Sequence, residues 1–112
     1  MSVVWIIDAD QWPRAMLRAE LIERGFDAVG YPTVGDAIES LLLRPPNAIV
    51  VDLRGQPPRL VERLLAIGVP VLIIAGIAEI NDLPNGAWSA ILRRPVSIGE
   101  IADAVEARVP GP

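Results

Sequence analysis

Fourteen acidic residues, ten basic residues and one tyrosine make up most of the ionisable chemistry of this 112-residue chain, which contains neither histidine nor cysteine. Every basic residue is an arginine. The chain therefore has no imidazole base or phosphohistidine, no thiolate nucleophile, no disulfide and no Cys–His zinc site. A Schiff-base lysine and a phosphate-loop lysine are excluded as well. What remains are carboxylates and guanidiniums, and their placement is informative. Asp8 directly follows the apolar run Val3–Ile7, and Asp52 directly follows Ala48–Val51. A carboxylate at the end of a buried apolar run is costly unless it is solvated, paired or metal-bound. Asp10 lies two residues beyond Asp8, Arg54 two beyond Asp52, and Arg93-Arg94 close a further apolar run. Such a set supports two kinds of chemistry. Asp8, Asp52 and, more weakly, Asp10 could hold a Mg²⁺ ion, which needs only one or two protein carboxylates. Alternatively, Arg94, Arg54 or Arg93 could pair with Asp52 or Asp8, because the planar guanidinium reaches two carboxylate oxygens and never gives up its charge.

The elements that must position these residues alternate along the chain. Val3–Ile7 and Ala48–Val51 are wholly apolar and rich in β-branched residues, Val69–Ala75 is a longer apolar run, and the shorter Ser89–Leu92 reads as the fifth strand. Such runs suit strands covered on both faces. Asp27–Tyr31 is a weaker strand. Between the strands, Asp10 can cap a helix that stops at Gly25. Thr33 can cap a second, in which Val34, Ala37, Ile38, Leu41 and Leu42 fall on a single apolar face, with Pro45-Pro46 ending it. Pro57-Pro58 open a third helix that stops at Gly68. Asn81, Pro84, Asn85 and Gly86 limit the fourth to roughly two turns. Ser97-x-x-Glu100 is a capping box for the last, lined by Ile98, Ile101, Ala102 and Val105. Five strands in strict βα alternation predict a parallel sheet with helices on both faces and a working crevice beyond the strands' carboxyl ends. Asp8, Asp52, Ala75 and Arg94 all belong to that edge.

Size and composition narrow the function. The length fits one domain, assigned to residues 1–108, with 109–112 as a tail or the start of a linker. At 52% hydrophobic, the chain can bury a sizeable core. A net charge of −4 argues against a general nucleic-acid surface. The longest apolar run is far shorter than the ~20 residues needed to span a bilayer, and the start lacks the form of a secretory signal. A cytoplasmic protein is expected. A small nucleotide or flavin binder is disfavoured, because Asp8-Ala9-Asp10-Gln11-Trp12-Pro13 has no glycine to cradle a phosphate and is acidic where one would lie.

The ordered set Ile6-Ile7-Asp8, Ala48-Ile49-Val50-Val51-Asp52, Pro70-Val71-Leu72-Ile73-Ile74 and Leu92-Arg93-Arg94-Pro95 resembles the receiver domain of two-component response regulators, over essentially the whole chain. The resemblance implies a flavodoxin-like (βα)5 fold with strand order 2-1-3-4-5, here with a shortened third and fourth helix region. It places Asp52 at the phosphoacceptor position, Asp8 at the first metal-binding acid, Ala75 at the Thr/Ser position, Arg94 at the lysine position, Ile91 at the switch aromatic, and Arg94-Pro95 at a cis peptide. Trp88 lies on the edge that the family uses for partners, although a half-buried role is the commoner one for tryptophan in a small domain.

The companions of phosphotransfer are largely missing. The second acid is Ala9, the hydroxyl is replaced by Ala75, and the ammonium by the guanidinium of Arg94. The expectation is therefore a degenerate, or pseudo-, receiver: a non-enzymatic interaction module with impaired or absent aspartyl phosphorylation and no resident cofactor. Its expected partners are a sensor kinase, an output domain, another signalling protein or a second copy of the chain, with no nucleic acid and no membrane. The alternative is a working atypical receiver in a phosphorelay, phosphorylated at Asp52 with Mg²⁺. The charged residues on the expected helix faces, Arg14, Arg18, Glu39, Arg63 and Glu106, read as solvated surface.

Overall fold

In the computed structural model, which describes residues 1–109, five parallel strands form one sheet in the order β2-β1-β3-β4-β5. The strands are β1 (Val3–Ile7), β2 (Asp27–Tyr31), β3 (Ala48–Asp52), β4 (Val71–Ala75) and β5 (Ala90–Arg93). The helices are α1 (Gln11–Glu23), α2 (Val34–Glu39), α3 (Pro58–Arg63), α4 (Ile77–Asn81) and α5 (Ile98–Glu106), with a 3-10 turn over Leu64–Ile67 after α3. This is the expected flavodoxin-like architecture, including the short third and fourth helices.

The strand sequences explain the two-sided core. Every residue of β3 and β4 is buried, as parallel strands with helices on both faces require. Alternation along the strands then divides the core. Val4, Ile6, Val50, Leu72 and Ile74 pack with α1 and α5, while Trp5, Ile7, Ile49, Val51 and Ile73 pack with α2 and α3. Trp5 is fully buried, lies edge-on to Tyr31 and donates its indole N–H to the Arg44 carbonyl at 2.8 Å. Asp10, Thr33 and Ser97 each accept a backbone N–H from the first turn of the helix they cap, and Glu100 completes the box on Ser97. Among the described residues no helix is long and apolar enough to cross a membrane.

Several boundaries differ from expectation. Strand β4 begins at Val71 because Pro70 has no N–H for the ladder. The larger difference is at α2, which ends at Glu39, so that Leu42 leaves the apolar face predicted for it and is 96% exposed. The Ser40 hydroxyl bonds the Ala37 carbonyl and the Tyr31 hydroxyl, which offers the backbone an alternative to the next helical turn. Moreover, the Arg44 carbonyl is held by Trp5, and Asn47 is hydrogen-bonded to Val3 on the way into β3.

Of the charged residues expected in solvent, Arg18 and Glu106 are exposed and Arg14 is half-buried, and all three are anchored. Arg18 donates to the Ala28 carbonyl at 3.1 Å, Arg14 to the Asp8 carbonyl at 2.7 Å, and Glu106 pairs with Arg24 at 2.7 Å. Arg24 also binds Asp103 and Glu20, so it ties α1 to α5, and these carboxylates push its pKa further up, Asp103 most. Val109, assigned to the tail on sequence, is buried against the α1/α5 side of the core. Residues 110–112 of that tail lie outside the described residues.

Replacing Trp5 by phenylalanine removes the bond to Arg44 and leaves a void in a closed layer. A loss of about 2 kcal/mol is expected, read as a lower urea midpoint by far-UV circular dichroism.

Candidate functional site

The carboxyl ends of β1, β3 and β5 bring Asp8, Asp52 and Arg94 together, as the alternating elements require. Asp52, the last residue of β3, is 3% exposed. Its Oδ1 accepts the Arg54 backbone N–H at 3.0 Å and Arg54 Nε at 3.3 Å. Its Oδ2 accepts Arg94 Nη1 at 2.8 Å and Arg54 Nη2 at 3.3 Å. Both oxygens are thus engaged, and two guanidiniums offset a carboxylate that the strand has carried out of water. Of the three arginines considered from sequence, Arg94 and Arg54 converge on Asp52. Arg93 is paired in the ladder with Ala75, and its side chain takes no part in the cluster's ion pairs.

Arg94 uses its second arm on Glu79 of α4, to which Nη2 donates. Glu79 also accepts the Gly76 N–H at 3.1 Å, and this bond, with Arg94 as a lesser contributor, holds its pKa below the usual carboxylate value. The glycine leaves the Glu79 carboxylate unobstructed. A Cβ on Gly76 would lie 3.2 Å from Glu79 Oε2 and 3.6 Å from Arg94 Nη2. The Arg94–Pro95 peptide bond is cis, as the resemblance implied. Nothing in the sequence reading singled out Glu79. The available signal was its place three residues after Gly76, at the position from which an acid can bond back to a helix start. Buried Gln56 was missed too. Its side chain spans the Val34 N–H and the Pro32 carbonyl, both at 3.0 Å, and pins the β3–α3 loop against the start of α2.

Asp8 is 6% exposed and unlike Asp52 has no guanidinium on its carboxylate. Its Oδ1 accepts the Asp10 N–H at 2.9 Å, and its backbone N–H donates to the Tyr31 carbonyl at 3.0 Å. Burial pushes its pKa up, the Asp10 N–H works against that, and the charge of Asp52 adds to the rise. The stem of Arg14 reaches Asp8 by passing over Gly30, where a Cβ would meet Arg14 Cγ at 3.0 Å. The Asp10 carboxylate is turned to the start of α1, where it accepts the Trp12 N–H at 3.3 Å.

Ala75, at the hydroxyl position, is buried at the end of β4 and offers only a methyl group. Ile91 is 48% exposed on β5. Trp88 is half-buried against the core layer of α2 and α3 and donates to the Pro84 carbonyl at 2.9 Å.

A Mg²⁺ ion needs open carboxylate oxygens, and few are open at this edge. Asp52 is covered by guanidiniums, Asp10 caps α1, Ala9 contributes no carboxylate, and Asp8 already has one oxygen bonded. Among the described residues, no group of three or more His, Cys, Asp or Glu is arranged to hold a metal.

Two variants probe this electrostatic arrangement. Arg94→Ala leaves Asp52 and Glu79 short of their shared cation and is expected to cost about 3 kcal/mol at neutral pH, measured by urea unfolding. Asp8→Asn should do the reverse. The native state holds the Asp8 proton more tightly than the unfolded chain does, so wild-type stability falls as pH rises through that interval, and the full cost stands at pH 7. The variant is expected to gain about 0.5–2 kcal/mol at pH 7, a gain that vanishes below the ordinary Asp pKa of about 3.9, where both states are protonated.

No protein-family model matches the chain, and no curated protein matches it in sequence. Solved structures do. It is similar to a response regulator receiver protein from Pseudomonas putida, at 24% identity with a TM-score of 0.81 over 95% of this chain and 96% of that one. A receiver domain from Methylobacillus flagellatus gives 22% identity and a TM-score of 0.75 over 97% and 99% of the two chains. One from Clostridium thermocellum gives 12% identity and a TM-score of 0.78 over 96% and 94%. The fold of this chain is that of response regulator receiver domains.

Proposed function

We propose that this protein is a receiver-type signalling module that works by protein–protein contact, with aspartyl phosphorylation impaired or absent. The observation that carries this reading is the Arg94 guanidinium bound to Asp52 at 2.8 Å and, at the same time, to Glu79. An aspartate that is to attack a phosphoryl group needs a free oxygen lone pair and a way to neutralise the charge of the incoming group. Here the lone pairs of Asp52 are directed at Arg94, Arg54 and a backbone N–H. The two cations are already matched against Asp52 and Glu79. Without a hydroxyl at Ala75, no side chain at the end of β4 can follow a phosphoryl oxygen.

The guanidinium itself completes the cluster. It links the ends of β3 and β5 to α4 in a single arrangement, so the surface built on these elements is displayed constitutively. Control then falls to partner concentration or to a ligand that competes for the arginines. The proposed partners are a sensor kinase, an output domain or another signalling protein, in the bacterial cytoplasm.

The test is incubation with acetyl phosphate, or with beryllofluoride, in the presence of Mg²⁺, followed by intact mass and amide spectra against an Asp52→Asn control. The expected result is no Asp52-dependent mass gain and no shift spreading to Ile91 or Trp88. An adduct that disappears in Asp52→Asn would overturn the proposal in favour of a working receiver.

A further inference from the structure

The early end of α2 leaves an unusual surface. Leu42 and Leu43 project 96% and 83% exposed from the turns after the helix. Beside them, Ile38, Leu41, Arg63, Ala66 and Ile67 line a groove of about 230 Å³ between α2 and the end of α3. An apolar cavity of about 150 Å³ accepts benzene, so this groove has room for the four carbons of a leucine side chain.

We propose that this face binds a second copy of the chain, with Leu42 and Leu43 of each copy seated in the groove of the other. Knob and groove belong to one patch, so a single two-fold axis satisfies both copies, as an isologous interface requires. The charges select the same occupant. Helix α2 carries Asp36 and Glu39, and α3 carries Arg59 and Arg63 beside a single acid, Glu62. Among the described residues, Asp36, Glu39, Arg59 and Arg63 make no ion pair within the chain. Helices α2 and α3 lead into parallel strands on the same face of the sheet. A two-fold running along the groove therefore lays the acidic α2 of one copy over the basic α3 of the other. The same axis brings Leu42 and Leu43 over the partner's Ala66 and Ile67. The interface is independent of phosphate and lies away from the Asp52 cluster.

Sedimentation velocity on the full chain, from about 10 μM to about 1 mM, tests this across the affinities of small interfaces. The expected result is a dimer that dissociates on dilution. Leu42→Asp with Leu43→Asp should weaken it at least ~10-fold with an unchanged circular dichroism spectrum. Glu39→Arg and Arg63→Glu should each weaken it, and the two together should restore it. A monomer at every concentration would overturn the proposal. So would a dimer insensitive to the leucine changes, a dimer lost with Ile91→Asp instead, or failure of the paired charge reversal to restore association.

Discussion

A carboxylate at 3% exposure is costly without partners, and Asp52 is held in that position by a strand whose every residue is buried. Much of the carboxyl edge of this sheet is arranged around that constraint. The Arg54 N–H turns back onto Asp52, the Arg54 side chain folds over it, and Arg94 reaches across from the end of β5. Arg94 is forked, so satisfying Asp52 leaves a second arm to satisfy, and Glu79 takes it. Glu79 lies in the first turn of α4, where the same carboxylate accepts the Gly76 N–H. One buried charge thus accounts for the placement of three loops and one short helix.

The overall shape matches receiver domains closely, and the proposal of impaired phosphotransfer rests on the contents of the crevice. A fold supplies positions, and side chains supply chemistry. An ammonium at position 94 would be a compact point charge able to follow a phosphoryl oxygen. A guanidinium there is a rigid bridge that suits two carboxylates already in place. The exchange of a hydroxyl for the methyl of Ala75 points the same way. Asp8 remains as a carboxylate with no cation of its own and a raised pKa, a destabilising feature retained beside the cluster.

Away from the crevice, the second notable feature arises from local competition for hydrogen bonds. The Ser40 hydroxyl and the indole of Trp5 claim carbonyls near the end of α2, the helix stops, and Leu42, which an uninterrupted helix would have turned inward, is left in solvent beside Leu43. Packing one tryptophan inside the sheet is therefore linked to an apolar projection outside it.

The alternation of apolar runs with capped helical segments determined the sheet, its two covered faces and the edge at which Asp8, Asp52 and Arg94 meet. These are consequences of periodicity and chain polarity, which are local in the sequence. Asp10 as a helix cap and the brevity of α4 were legible for the same reason. Glu79 and Gln56 were not, because each acts on atoms brought near by the fold: Arg94 is 15 residues from Glu79 in sequence, and the Val34 N–H is 22 from Gln56. Nor could spacing alone choose among Arg54, Arg93 and Arg94, or show that α2 would end before Leu42. Those outcomes depend on which side chain reaches a buried charge or an unsatisfied carbonyl first in three dimensions, and only the tertiary structure decides that.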